Sequence, residues 1–417
     1  MNNQFVKMSN VIDEISMGPF GSDIKVDNFV DKGVPVLNGA NLLSFKLLED
    51  EFRFVTPEKA KTFKKAIAKK GDIIITHRGT LGQISYIPED SKYEEYVISQ
   101  SQFKVRLKKD KVNPAFFVYY FHTSEGQKRM LANKCHVGVP ALAQATTNFR
   151  LIQFPLPDLQ IQNKISNVLL SLDRKIELNN KINVELEAMA KTLYDYWFVQ
   201  FDFPDEKGKP YKTSGGKMVW NEELKREIPE GWEVGTLLDI ASYENGLPCQ
   251  KFRPTGADYY RVIKIREMND GFSSDSEFVR TDIPEKAIIE NGDVLFSWSA
   301  SLDVKIWTGG KGALNQHIFK VTSNHYPKSF YYYQLLNYLH HFKMMAEIRK
   351  TTMGHITQEH LKQSRITIPE LELTIKLENI IAPILEKKVK NDFENQKLIE
   401  LRDWLLPMLM NGQVKVN

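Results

Sequence analysis

Cysteine is nearly missing. Cys135 and Cys249 are the only two in 417 residues, and they lie far apart. That spacing excludes a disulfide framework and a cysteine-based metal motif, and a reducing cytoplasm fits best. The phosphate-cradling signature Gly-x4-Gly-Lys-Ser/Thr is absent as well, since Gly216-Lys217 and Gly310-Lys311 both lack the earlier glycine. Asn113-Pro114 is followed by Ala115, so the Asn-Pro-Pro-aromatic motif of amino-methyltransferases is missing. His355 and His360 flank Glu359 at a spacing that does not put two imidazoles on one helical face, as a zincin requires. Nothing pairs a nucleophile with a base, and no metal site is expected. The strongest apolar run, Ala115 to Phe121, falls far short of the ~20 residues of a membrane span. The first residues lack the apolar core of a signal peptide. Charge of one sign is also missing: 56 basic and 52 acidic residues leave +4, with a pI near 8.6. Such a balance permits nucleic-acid binding without demanding it. With 42% hydrophobic and 26% charged residues, the chain reads as soluble and globular, with two to four domains. These absences point to a binding protein, not an enzyme.

What is present is a repeat. Gly71-Asp-Ile-Ile-Ile-Thr76 returns as Gly292-Asp-Val-Leu-Phe-Ser297. Ser99-Gln100 through Val105 is echoed by Asn315-Gln316 through Val321, and Leu156-Pro157-Asp158-Leu159 by Ile368-Pro369-Glu370-Leu371. The order is kept and the unit is about 210–220 residues, so this is a duplicated domain pair and not a solenoid. Each copy opens with short β-branched and aromatic runs punctuated by Gly, Asn, Asp and Pro, read as mixed α/β. Each copy closes with a long helix. The expected architecture is α+β (mixed α/β), with domains at 1–155 and 230–367, helices at 156–204 and 368–417, and an exposed Gly- and Lys-rich linker at 205–229.

The helices carry heptad seams. One runs Ile165, Val168, Leu172, Lys175, Asn179, Ile182, Leu186, Met189, Leu193, Tyr196. The other runs Leu377, Ile380, Ile384, Lys387, Asn391, Glu394, Leu398, Leu401, Leu405, Met408. The two are offset by 212 positions (179 to 391) and interrupted by Lys and Asn at matching places. Each seam is on the order of 47 Å long. Since a whole domain intervenes, antiparallel pairing is expected, with a globular domain at each end, a pseudo-twofold internal repeat, and Asn179 facing Asn391 as a register pin. The alternative is that both Asn are solvent-facing breaks in ordinary amphipathic helices. Pro383 is expected to start or kink the second helix. The aromatic run Tyr194 to Phe203 reads as a core cap where helix meets domain, or as a docking surface for another chain.

Phosphate contacts call for exposed Lys and Arg, and base contacts for forked or bidentate groups at loop tips. The segment 58–70 carries six lysines, among them Lys61, Lys64 and Lys65. Residues 1–155 hold 22 basic and 16 acidic residues against 16 of each in 230–367, making the first domain the more basic. Candidates in the first copy are Ser22, Lys25, Asn38, Asn41, His77, Arg78, Thr80 and Gln102. In the second copy they are Lys251, Arg253, Lys264, Arg266, Ser299, Ser301, Gln316 and His317. A solvated helix face or a plain structural turn is the competing reading for each.

Taken together, Gly18-Pro-Phe-Gly-Ser22, Lys70-Gly-Asp-Ile-Ile-Ile-Thr76, Leu193-Tyr-Asp-Tyr-Trp-Phe-Val-Gln-Phe-Asp-Phe-Pro204, Ile228-Pro-Glu-Gly-Trp232 and Asn315-Gln-His317 resemble the DNA-specificity subunits of type I restriction–modification systems over essentially the full chain. The resemblance implies a non-catalytic subunit with two target-recognition domains, each reading one half of a split double-stranded DNA site. It implies two long antiparallel helices that act as a ruler and dock two methyltransferase subunits, with restriction/translocase subunits joining. Tyr196, Trp197, Phe198 and Trp404 are the docking candidates. No cofactor is expected on this chain; S-adenosylmethionine, ATP and Mg2+ would belong to partner subunits. One departure stands out: Gly79-Thr-Leu-Gly82 becomes Ala300-Ser-Leu-Asp303, which puts the turn of the second copy in question. An interaction scaffold whose ends bind proteins would share the duplication, whereas an autonomous nuclease would need an acidic metal motif that the chain does not show.

Overall fold

In the computed structural model, which describes residues 4–19, 23–135, 138–348, 355–414 and 416, the twice-written phrase is one turn built twice. Gly71 and Gly292 take φ of +86° and +93°, a left-handed backbone that favours glycine. The next residue closes the turn with its carboxylate: Asp72 accepts from Lys69 N, and Asp293 from Glu290 N, both at 2.9 Å. A fully buried strand follows each, Ile73–Thr76 and Val294–Ser297.

Compactness divides the chain into residues 1–174 with 399–417, and residues 175–398. In the first unit an antiparallel sheet orders Ile12–Met17, Gln102–Leu107, Ile73–Thr76 and Ile84–Tyr86. The second unit repeats that order with Ser242–Asn245, Ile318–Thr322, Val294–Ser297 and Asp303–Ile306. A second, mixed sheet is also repeated. Arg53–Val55, Val34–Val36, Glu95–Val97 and Ile67–Lys69 lie side by side in the first unit. Phe278–Arg280, Tyr259–Ile263, Gly312–Leu314 and Ile288–Ile289 do so in the second. In both, the parallel pair is the middle one, joining Val36 to Val97 and Val262 to Ala313.

The long helices are Leu159–Phe198 and Leu371–Met410. In the first unit Ile165 and Leu169 pack with Leu406, Leu409 and Met410 on an aromatic core of Phe103, Phe117, Phe121, Phe149 and Phe154. In the second, Ala190, Tyr194, Trp197 and Phe198 pack with Leu377, Ile381 and Leu385 on Phe296, Phe319, Phe330 and Phe342. Each fully buried Phe contributes about 1.5–3 kcal/mol. The aromatic run is therefore a core cap. Trp197 and Phe198, expected as docking residues, are buried, while Tyr196 and Trp404 keep 37% and 58% of their surface.

Within the second unit the helix segments run antiparallel, but one residue off the expected seam. Ala190, not Met189, and Trp197, not Tyr196, face inward. A strict 3.5-residue repeat drifts by about 20° per heptad against a 3.6-residue helix, which turns the buried stripe aside. The Asn expectation is corrected accordingly: Asn179 and Asn391 do not face each other. Asn179 donates to Asn395 Oδ1 and Asn391 donates to Asn183 Oδ1, each at 2.9 Å. All four are buried, which also excludes the solvent-facing reading. The second long helix neither starts nor breaks at Pro383, which is exposed. The segment 205–229, expected as a linker, is exposed over much of its length yet structured. Met218–Asn221 and Arg226–Pro229 form a hairpin, Asp202 binds Thr213, and Tyr211 stacks on Phe203 at 4.6 Å. Among the described residues no helix is long and apolar enough to cross a membrane.

Candidate nucleic-acid interface

The loop tips of the two copies share a backbone and differ in side chains. His77 N donates to Ser101 O, and Leu142 N to His77 O. In the second unit Trp298 N donates to His317 O, and Ile356 N to Trp298 O. An imidazole in one copy is thus an indole in the other. The His77 ring bonds Gln100 O at 3.1 Å, and burial holds its pKa below the ordinary histidine value. Trp298 donates its Nε1–H to Asn245 Oδ1 at 3.0 Å and packs on His317 and His355. Ala300 keeps the left-handed conformation at φ +58°, against +91° at Gly79. The left-handed residue thus survives the loss of Gly79, at roughly 1–2 kcal/mol of backbone strain, whereas Gly82, at φ +94°, gives way to Asp303, which is not left-handed and opens a strand.

Several expected readers do reach the surface. Lys25, Asn38, Lys61, Lys64, Lys65, Arg78 and Thr80 are exposed in the first unit, and Lys251, Arg253, Ser301 and His317 in the second. Gln316 is half-buried beside His317. Lys61, Lys64 and Lys65 form no ion pair among the described residues, whereas Lys69 and Lys70 from the same run are neutralised by Glu95 and Glu94. Ser22 lies outside the described residues.

Others are corrected. Gln102 is fully buried, its Oε1 accepting from Ser99 N at 2.9 Å, so it cannot meet a base. Asn41 is buried too: Nδ2 donates to Leu48 O and Asp50 O, and Oδ1 accepts from Asn38 N. Ser299 is 5% exposed. Lys264 and Arg266 differ from these: both keep exposed side chains, Lys264 ion-paired with Glu277 and Arg266 with the buried Glu267. Burial pushes the Glu267 carboxyl up, but hydrogen bonds from Arg266, its own backbone and Ser276, with the Arg266 charge, outweigh it and leave the pKa low.

Sequence reasoning missed Arg53, Asn183 and Asn395. The Asn signal was present, since Asn-x3-Asn occurs at 179–183 and again at 391–395. Arg53 lines a cleft of about 360 Å3 with Phe29, Val36, Asn38, Ser99 and Gln100. Among the described residues no three His, Cys, Asp or Glu side chains gather where they could hold a metal ion.

A repeated sheet frame with changed tips, on an internally duplicated chain with two long helices, defines a pair of recognition modules. The type I restriction modification DNA specificity domain matches the chain twice, over residues 23–188 and 229–403. The chain belongs to that family of type I specificity subunits. It is 25% identical to the MjaIX specificity subunit of Methanocaldococcus jannaschii, over 99% of this chain and 93% of that one. It is 23% identical to the HindI specificity subunit of Haemophilus influenzae, over 96% and 99%. The S subunit crystal structure from M. genitalium shares the fold, with a TM-score of 0.59 at 13% identity, over 98% and 96% of the two chains.

Proposed function

We propose that the chain reads an asymmetric bipartite site in double-stranded DNA, one half-site per α+β unit. It carries out no chemistry of its own. It docks two methyltransferase subunits and the restriction/translocase subunits of a type I complex in the cytoplasm. S-adenosylmethionine, ATP and Mg2+ are used by those partners. The observation that carries this reading is the duplicated frame with unlike tips: His77 against Trp298, and Ser101 against His317, at matched hydrogen-bonding positions. A scaffold that binds only proteins would have no need to vary the tips of a fixed frame in this way. Tyr196 and Trp404, exposed aromatics on the long helices, are the docking residues that burial leaves available.

The test is selection of bound sequences from random DNA by the chain with its methyltransferase partner. A two-part motif with unlike halves is expected, and enrichment of no such motif sinks the reading in favour of a protein-binding scaffold. Lys64 and Lys65 are expected to touch phosphate. Changing both to Glu should weaken binding to all sequences alike and lower the log–log salt slope by about 1.8, at roughly 0.9 per phosphate. An unchanged slope removes the cluster from the interface.

A further inference from the structure

We infer that the cleft at the ends of the inner strands of the first unit's mixed sheet is a base-reading site for hydrogen-bond acceptors, with Arg53 as its guanine reader. The inference rests on the proposal that this unit reads a half-site. Sheet topology brings three polar residues from separate parts of the sequence to one place. Arg53 opens a strand and pairs with Val36. The chain runs on from Val36 to Asn38. Val97 pairs with Val36 in parallel, and the chain after it runs on to Gln100. All three side chains line the same cleft.

The chemistry of the three groups fits base recognition. Arg53 is exposed, with its guanidinium over the Phe29 ring at 5.2 Å, and it has no ion-pair partner among the described residues. Stacking on an aromatic face holds a planar fork in one orientation, so less freedom is lost when it binds. Asn38 spends its Oδ1 on Ala40 N at 2.7 Å, leaving the NH2 as a donor. Gln100 is exposed, and its backbone carbonyl accepts from His77, which ties the cleft to the Arg78 turn. Unpaired donors in a fixed fork suit the O6 and N7 acceptors of guanine in the major groove, the commonest specific contact of arginine.

The second unit serves as an internal control. Val262 stands where Val36 stands, by its parallel partner, and Val262 N donates to Glu277 O. Glu277 thus takes the place of Arg53, and Lys264, two residues after Val262, takes that of Asn38. There the two side chains form an ion pair with each other. A residue needed by the frame would recur in both copies, as Asp72 and Asp293 do. Arg53 does not recur; its place holds the opposite charge.

The experiment is the same selection on the full complex, with Arg53→Ala and Arg53→Lys beside the natural chain. Arg53→Ala should reduce the preference for guanine at one position of one half-site by about 5- to 150-fold, leaving the other half-site unchanged. Arg53→Lys, which keeps the charge but not the fork, should lose the same discrimination while overall affinity stays near that of the natural chain. If Arg53→Ala does not fold, Arg53→Lys alone decides. An unaltered motif, an equal loss on every sequence, or a motif without guanine in either half overturns the inference while leaving the half-site reading intact. A natural chain that selects no two-part motif overturns both.

Discussion

Asp173→Ala is expected to destabilise the unit formed by residues 1–174 and 399–417 by about 3 kcal/mol, the lower end for breaking a buried ion pair. Asp173 and Arg402 are 13% and 17% exposed and meet at 2.9 Å. Asp173 also accepts from the Tyr119 hydroxyl, whose pKa is raised far above the tyrosine range by burial and the adjacent carboxylate. Removing the carboxylate strands a guanidinium and a phenol together. Arg402 retains the more exposed Asp403 and its place over the Phe45 ring, which is why the lower end applies. The repeat supplies its own control. Shifted by 212, Asp173 corresponds to Leu385, and Arg402 corresponds to Ala190, both buried in the apolar core of the other unit. The chain therefore holds a charged and an apolar solution to one packing problem. Asp173→Leu with Arg402→Ala, which copies the apolar solution, should recover most of the loss, since apolar replacement of a buried pair is often neutral or favourable. Urea unfolding decides the matter: a single-mutant cost under about 1 kcal/mol, or a double mutant no better than Asp173→Ala, would falsify this account.

Which features could be read ahead of the structure follows from how local each one is. The strands Ile73–Thr76 and Val294–Ser297 were legible because a β-branched or aromatic run that follows Gly-Asp is a signal set within a few positions, whereas the aspartate bond back to the third residue before it was not read. The long helices were legible because an apolar stripe with matched interruptions recurs at a fixed offset. Their inward face was misjudged by one residue, because Asn183 and Ala190 sit on the true stripe and look like neither hydrophobes nor anchors. The candidate site was less legible. Whether a lysine is free or spent depends on a carboxylate brought near by folding: Glu277 for Lys264, Glu95 for Lys69. Whether an amide keeps a free donor or is wholly spent in the fold depends on burial, which separates the exposed Asn38, whose Oδ1 alone caps a turn, from Asn41 three residues later. Arg53 could not be singled out, because only the sheet order places it beside Asn38 and Gln100.

Asn183→Leu is expected to cost about 1–3 kcal/mol, and adding Asn391→Leu should return most of it. Asn391 Nδ2 donates to Asn183 Oδ1, and Asn183 Nδ2 donates to Asp392 at 2.6 Å, so the single change leaves a buried amide without its acceptor. With both amides gone, the helices meet through two apolar side chains, and Asp392, which loses the Asn183 donor, keeps its ion pair with Lys388 at 3.0 Å. A double-mutant cycle should therefore give a coupling energy of at least about 1 kcal/mol, and costs that simply add would remove the pair from any special role. The reason to keep such a pair is register. Asn179 with Asn395 and Asn183 with Asn391 form two rungs one helical turn apart, and the 212-residue offset carries one rung onto the other. Sliding one helix by a turn of four residues would keep one Asn pair and set the other two Asn against Lys175 and Lys387, or against Glu187 and Ile399, a penalty that all-leucine rungs would not impose. Leucine at all four positions should raise the urea midpoint of the unit. It should also speed amide hydrogen exchange in the helix segments, because several registers become nearly equal in energy. A higher midpoint with unchanged exchange would show that the neighbouring contacts Lys388–Glu187 and Gln396–Thr308 hold the register without the asparagines.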